Sequence, residues 1–278
     1  MSAEKGKTKE HCRVTFLGHA SALITMNGIN IIADPIFSRH VFFFVWRRGG
    51  VPMKVEELPP IDLILISHGH YDHLDLPTIR KLPREIPVIA PPGLRTVLKW
   101  ARRKRVVTLR EWESHHADEV TVTAVPAKHF HGRPPLFPVS RFQGYIVEGD
   151  ATVYFAGDSG IFDGLSEIGR KWDIDVALLP IGAYSPRSFR RHHMSPEDAV
   201  EAGRMLGAKV VVPIHWGAFK LSLEPLDEPV PRLERAAEKA GCSSMVKVLA
   251  PGRSVSIRSG DSGRTIEVLP AHAGAAGP

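Results

Sequence analysis

Ser67-His68-Gly69-His70-Tyr71-Asp72-His73 follows the apolar segment Ile61-Asp62-Leu63-Ile64-Leu65-Ile66 without a break. The apolar segment reads as a buried strand, so the run begins where that strand ends, a place from which rigid scaffolds present chemistry. Imidazoles packed this closely repel one another on protonation and waste buried volume in an ordinary core. A divalent cation reverses that balance, because it draws deprotonated nitrogen and oxygen ligands together. A lone His-x-His pair is common on surfaces. His-x-His-x-Asp-His at a strand end is not, and it marks a metal site.

The bulk properties narrow the class. The chain has 278 residues, of which 43% are hydrophobic and 24% charged, the composition of an ordinary globular protein with ample core. The opening Met1-Ser2-Ala3-Glu4-Lys5-Gly6-Lys7 is charged and has no apolar h-region, so no secretory signal is expected. Nothing approaches the ~18 uninterrupted apolar residues of a spanning helix. Cys12 and Cys242 are too few for a disulfide framework and suit a reducing compartment, so a cytoplasmic location is expected. The net charge of +6 and pI near 9.4 favour anionic partners: phosphorylated small molecules, nucleic acid or acidic lipid. The densest basic run, Arg102-Arg103-Lys104-Arg105, closes an expected helix from Gly93 to Ala101. Cations complement the dipole there, so capping is preferred to a nucleic-acid patch.

Along the chain, short β segments come first: 13–17, 22–26 and 29–33, the last two joined by the turn residues Asn27-Gly28. Further strands are expected at 63–66, 88–90, 106–109 and 120–125, with helices near 77–82 and 93–102 between some of them. A second series covers 145–148, 152–155, 176–179 and 210–214. Its clearest helix is 196–206, which Ser195 caps, Pro196 opens, and Glu197 and Asp198 orient against the dipole. His115-His116 is read as a loop. No linker or short repeat divides the chain, which predicts a flexible N-terminus over 1–12, a single layered domain over 13–270 and a disordered tail over 271–278.

Two metals need about seven ligands between them, so the first run must find partners downstream. His129, His131, Asp158, His192, His193 and His215 are the candidates. Asp158 lies between glycines after a strand, where a plain turn residue is the bland alternative. His215 ends Val210-Val211-Val212-Pro213-Ile214, and His129 follows 120–125 in the same manner. Separate strands that each end in His or Asp make coincidence a poor explanation.

These segments resemble the metallo-β-lactamase superfamily, and more narrowly its branch containing N-acylphosphatidylethanolamine-hydrolysing phospholipase D and related bacterial hydrolases. The matching stretches are Leu17-Gly18-His19-Ala20, Asp34-Pro35-Ile36-Phe37, Ser67 to Asp75, Ala156-Gly157-Asp158, Pro180-Ile181-Gly182-Ala183-Tyr184 with Pro186-Arg187, and Ile214-His215-Trp216-Gly217. The resemblance implies an α/β fold, an αββα four-layer sandwich of two mixed β-sheets flanked by helices. It implies two Zn²⁺ ions, one on His68, His70 and His129, the other on Asp72, His73 and His215, with Asp158 bridging. Iron-bearing relatives replace the second His of the run with Glu; His70 stands here, which favours zinc hydrolysis over redox chemistry. Asp34 is expected to orient a ligating imidazole, and His19 to support it. His193 is expected to donate a hydrogen bond to the substrate or to protonate a leaving oxygen, with Asp72 and Asp158 acting beside it in catalysis. Tyr71, Arg133, Tyr184 and Arg187 are the expected substrate contacts, since guanidinium groups match phosphate in a forked geometry.

The expected activity is a zinc-dependent phosphodiesterase of phospholipase-D type, acting on a lipid or glycerophosphodiester through a metal-bridging hydroxide. Hydrolysis of a small, possibly phosphorylated lactone or other ester is the alternative within the same chemistry, and a non-catalytic metal-binding or scaffold protein is the alternative of another class. Nucleic-acid processing in this superfamily uses an added RNA-gripping arm or inserted domain, which the sequence does not show, so no nucleic-acid partner is expected. Val41-Phe42-Phe43-Phe44-Val45-Trp46-Arg47-Arg48 departs from the family pattern. It is too short to span a bilayer and reads either as a peripheral membrane contact or as a core strand or homodimer contact.

Overall fold

The computed structural model describes residues 9–42, 44–51, 53–130, 141–260 and 263–269. The expected tail over 271–278 lies outside them, as do residues 1–8, Phe43, His131 and the expected substrate contact Arg133.

The chain runs through β1 (Lys9–Gly18), β2 (Ser21–Met26), β3 (Ile29–Ala33), a small hairpin of β4 (His40–Val41) and β5 (Val45–Trp46), then β6 (Leu63–Leu65), α1 (Leu76–Lys81), β7 (Val88–Ala90), α2 (Arg95–Trp100) and β8 (Val106–Thr108). There follow β9 (Ser114–Ala117), β10 (Val120–Val125), β11 (Gly144–Glu148), β12 (Thr152–Phe155), α3 (Gly164–Lys171), β13 (Val176–Pro180), α4 (Pro196–Met205), β14 (Val210–Ile214) and α5 (Pro229–Lys239). The pair β15 (Ser254–Gly260) and β16 (Gly263–Leu269) then returns to the first sheet. One sheet has eight strands in the order β16-β15-β1-β2-β3-β6-β7-β8, and the other six in the order β14-β13-β12-β11-β10-β9.

Side-chain alternation explains the layering. Successive residues of a strand point to opposite faces. Val14, Phe16, Ile24, Ile31, Leu63 and Leu65 of the first sheet meet Val153, Phe155, Val176, Leu178, Val212 and Ile214 of the second in one buried cluster. The alternate residues face outward. Ile32, Ile64 and Val88 pack on Ile79, Val97 and Leu98 of α1 and α2, while Tyr154, Ala177 and Val211 join Ile168 of α3, Val200 of α4 and Leu233 of α5. Strands apolar on both faces are what helices on the outside of each sheet require. The result is an αββα sandwich of mixed sheets, as the resemblance implied.

Local chemistry sets several boundaries. The Asn27-Gly28 turn has φ of 52° and 79°, so both residues are left-handed, as a tight hairpin between twisted strands demands. Ser195 caps α4 by accepting from the Asp198 backbone N–H, and Asp198 accepts from the Ser195 N–H in return. In the basic run, Arg103 turns inward and donates to the carbonyls of Leu82 and Pro83 at 2.7 and 2.8 Å. It therefore caps the end of α1 rather than that of its own helix.

The structure corrects the reading in several places. The first strand begins at Lys9 rather than 13, because Cys12 is buried between β15 and β2 partners. His115 and His116 lie in β9, not in a loop. Helices α3 and α5 and the strands β15 and β16 were not anticipated. Within 41–48 the core strand holds only for Val41, which packs on Ile36 and Phe219; Phe44 and Trp46 are 76% and 65% exposed. Among the described residues no helix is long and apolar enough to cross a membrane.

Strand direction positions the site. β1, β3 and β6 run the same way in their sheet, since β2 is antiparallel to both β1 and β3 and β6 is parallel to β3. β10, β12, β13 and β14 share a direction in the other. Each sheet thus gathers several C-terminal strand ends along one edge. The loop leaving β13 reaches this edge because Gly182 has no side chain: a Cβ there would collide with the backbone oxygen of His215. Gly182→Ala is expected to destabilise the fold by about 1–3 kcal/mol, the usual range for overpacking. A lowered urea midpoint at unchanged m-value would register it, and an unchanged midpoint would contradict this close contact.

Candidate metal centre

Every titratable group of the site except His193, which follows a short 3-10 turn, comes after a strand. His19 comes directly after β1, Asp34 after β3 and His215 after β14, while the run from Ser67 lies just past β6, His129 past β10 and Asp158 past β12. His19, Asp34 and His215 take left-handed backbone, with φ of 53°, 40° and 59°. Such conformations cost a non-glycine residue about 1–3 kcal/mol and persist where surrounding structure fixes them. The fixing contacts are present: Asp34 N–H donates to Leu65 O at 2.9 Å, and His215 N–H donates to His19 O at 2.7 Å, tying one sheet to the other.

Three sets of side chains converge. In the first, the Nδ1 of His70 lies 2.8 Å from His68 Nε2 and 3.1 Å from His129 Nε2. In the second, Asp72 Oδ2 lies 3.0 Å from His19 Nε2, 3.2 Å from His215 Nε2 and 3.5 Å from His73 Nε2. Asp158 stands between them. Its Oδ2 is 3.2 Å from both His73 Nε2 and His215 Nε2, 3.6 Å from His193 Nδ1 and 4.0 Å from His129 Nε2. Each of these sets could hold a metal ion: His68, His70 and His129; His19, Asp72, His73 and His215; His129, Asp158 and His193.

Their electrostatics fit a cation. Burial opposes charge on every imidazole, and it wins at His68 and His129, whose pKa values lie well below the usual histidine range. Burial also holds His193 down to about 4. At His73 and His215 burial is outweighed, chiefly by the Asp158 charge, which holds His73 well above its ordinary value and lifts His215 to about 9. Asp72 and Asp158 stay well below the carboxylate range despite their burial, because His73 and His215 face them. Buried His73 Nε2, His193 Nδ1 and Asp158 Oδ1 have no hydrogen-bond partner among the described residues. Buried polar atoms left this way are costly unless a partner joins them. Imidazole nitrogens and carboxylate oxygens form the donor set that divalent metals take.

A second ring of contacts fixes the rings' orientations. Asp34 is fully buried; its Oδ2 accepts from His73 Nδ1 at 2.7 Å and from the Ser67 hydroxyl at 2.5 Å, and its Oδ1 from the Ser67 N–H at 2.7 Å. The Ser67 hydroxyl is also 2.9 Å from His68 Nδ1, so one carboxylate reaches a histidine of each set. Gly157 allows this approach, since a Cβ there would lie 2.5 Å from Ser67 Cβ. His129 Nδ1 is 2.9 Å from the His192 carbonyl, which places the free nitrogen toward the cluster. Ser67 and the His192 backbone were not singled out from sequence; Ser67 stood in the first stretch read, but a hydroxyl beside two histidines carries no signature of its own.

The remaining expected residues divide. His193 is buried, its ring 4.8 Å from that of His129. Tyr71 sits at the rim under the ring of Phe42, 5.0 Å away. Arg187 is exposed on the segment leading to His193. Tyr184 is not presented to the cluster: it is buried, its hydroxyl donates to Glu228 at 2.7 Å, and its ring lies under Arg232 of α5. His19, expected only to support the site, contributes a nitrogen to the second set directly.

Comparison with known proteins agrees with this geometry. Residues 29–216 match the description of a β-lactamase superfamily domain. The chain is 33% identical over 243 residues to an N-acyl-phosphatidylethanolamine-hydrolyzing phospholipase D of Caenorhabditis elegans, covering 77% of this chain and 67% of that one. It is 30% identical over 257 residues to a metal-dependent hydrolase of Methanopyrus kandleri, covering 87% and 98%. Among solved structures, a metallo hydrolase of Ignicoccus hospitalis superposes with a TM-score of 0.65 at 23% identity, over 88% of this chain and 97% of its own. With its two facing sheets and its histidines and aspartates gathered at their shared edge, the chain belongs to the metallo-β-lactamase superfamily and is one of its metal-dependent hydrolases.

Proposed function

We propose that the site holds two zinc ions and hydrolyses phosphodiesters of the phospholipase-D type, with a lipid or glycerophosphodiester as substrate. The observation that carries this reading is the position of Asp158, whose single Oδ2 faces His129 on one side and His73 and His215 on the other. One carboxylate oxygen between two sets of imidazoles is what a pair of neighbouring cations requires. In this scheme His68, His70 and His129 would hold one ion, Asp72, His73 and His215 the other, with Asp158 between them. Zinc there would supply a Lewis acid for phosphoryl oxygens and a water acidic enough to attack at neutral pH. The name of the Caenorhabditis elegans relative supports the substrate class.

The chain's own residues then have separate tasks. Asp34 holds the His73 ring directly and the His68 ring through Ser67, so that each keeps its free nitrogen turned inward. The His192 carbonyl does the same for His129. His193, buried beside Asp158, offers a hydrogen bond to a substrate oxygen. Arg187, exposed on the segment leading to His193, would meet substrate phosphate.

The direct test sets bis(p-nitrophenyl) phosphate against simple lactones and carboxylic esters on zinc-loaded protein. Preferential turnover of the phosphodiester is expected; preferential lactone turnover would overturn the substrate class, and no turnover of either would leave a metal-binding protein without catalysis. Reconstituted protein should carry about two metal ions per chain, as a bridged pair requires. Asp158→Ala should remove at least one of them and abolish activity, and full activity in that variant would refute the bridge. His193→Ala should keep both ions yet lose ~10²–10⁴-fold in rate. Loss of metal in that variant would make it a ligand. Asp34→Asn should weaken metal affinity or rate by about 10–100-fold, the usual cost of losing a partner that orients a ligand. Wild-type affinity and rate would show that its contact with His73 does no orienting.

A further inference from the structure

We propose that the outer face of the hairpin 40–48 docks this protein onto an anionic phospholipid surface, with the mouth of the metal centre turned toward that surface. The hairpin divides its residues by face. Val41 packs inward on Ile36, Ala218 and Phe219, with Val45 beside it. Arg47 also turns inward; it donates to the carbonyls of Ile36 and Ser38 at 2.7 and 3.3 Å and lies over the Phe219 ring. The alternate residues His40, Phe42, Phe44, Trp46 and Arg48 face solvent. Phe42, Phe44 and Trp46 thus stand uncovered on a base packed inward through Val41, Val45 and Arg47.

One of those rings borders the site. Phe42 contacts Tyr71, which belongs to the histidine run. From other segments come Phe130, 4.7 Å from the His70 ring and 4.5 Å from the His129 ring, and Phe189, 6.4 Å from the His193 ring. All three are among the exposed large hydrophobic residues. Exposed aromatics gathered around one opening mark an interaction surface, whereas scattered ones need no explanation.

Charge identifies the occupant. Between Asp34 and Glu56 the sequence holds Arg39, Arg47, Arg48 and Lys54 and no carboxylate; from Pro186 to Pro196 it holds Arg187, Arg190 and Arg191 and again none. Arg39, Arg48, Arg187 and Arg191 are exposed, and no carboxylate among the described residues pairs with them. A second copy of the chain meeting this face about a twofold axis would set arginine against arginine. An anionic bilayer complements it: Trp46 sits at head-group depth, Phe44 enters the acyl boundary, and the arginines reach lipid phosphates. The inference carries the proposed lipid substrate from the bond cleaved to the surface from which the lipid is drawn, and binding is read here without turnover.

The experiment is co-sedimentation of the full-length protein with phosphatidylcholine vesicles, with and without phosphatidylglycerol. The wild type is expected in the pellet only with phosphatidylglycerol, and progressively less as salt rises. Phe44→Glu and Trp46→Glu should each weaken binding by about tenfold or more, and Arg48→Gln by about fivefold. All three should keep the wild-type urea midpoint and hydrolyse bis(p-nitrophenyl) phosphate at the wild-type rate. Wild type that stays in the supernatant, or variants that bind as well as wild type, would overturn the proposal. So would a dimer in sedimentation equilibrium that Phe44→Glu dissolves, since the face would then belong to a second copy. A failed phosphodiesterase assay leaves this result standing, and failed sedimentation leaves the phosphodiesterase assay standing.

Discussion

Buried imidazoles and carboxylates brought within 4.8 Å of one another govern the rest of this structure. Left to themselves they form an unfavourable assembly: burial pushes the pKa values of His68, His129 and His193 down, while the charges of Asp158 and Asp72 push those of His73 and His215 up. A fold accepts such a cluster only if its framework holds it and something offsets the concentration of lone pairs. The framework is the pair of sheets. Their interleaved apolar faces form a continuous inner core, and helices cover both outer faces, so the strand ends cannot drift apart without opening that core. The cation is what the donor set calls for.

The contacts behind the cluster show how closely the two sheets are coupled. The His215 N–H reaches His19 O across the interface, Gly182 lets its loop lie against His215, and Gly157 lets Ser67 close on the neighbouring loop. Asp34 then connects His73 to His68 through Ser67 within the first sheet's edge. Substitution at either glycine is therefore felt at the residue it abuts, His215 for Gly182 and Ser67 for Gly157, though no chemistry passes through the glycine itself. The left-handed backbone at His19, Asp34 and His215 falls on the first residue after β1, β3 and β14.

Much of this was legible in sequence because strands and chemistry alternate so plainly. Ile64-Leu65-Ile66 running into His68, and Val210 to Ile214 running into His215, announce both a buried strand and what it presents. The sheet interior was legible for the same reason. What escaped had a weak or ambiguous pattern. β15 and β16 alternate Val255, Ile257, Ile266 and Val268 with serines, arginines and a glutamate, a signal easily read as a polar terminal loop. The stretch between Arg39 and Arg48 alternates outward aromatics with inward Val41 and Arg47, and only the inward packing of those two tells which face is which. Tyr184 looked like a substrate contact because its partners, Glu228 at the start of α5 and Arg232 within it, belong to a helix the sequence did not disclose.

The account stands or falls on two cations sharing Asp158. Anomalous X-ray diffraction at the zinc edge, on crystals of the reconstituted protein, tests it most directly. Two peaks about 3.5–4 Å apart are predicted, the usual spacing of a bridged pair. One should be ringed by His68, His70 and His129, the other by Asp72, His73 and His215, with Asp158 between them. A single peak, or a second peak held by His193 in place of Asp158, would contradict it.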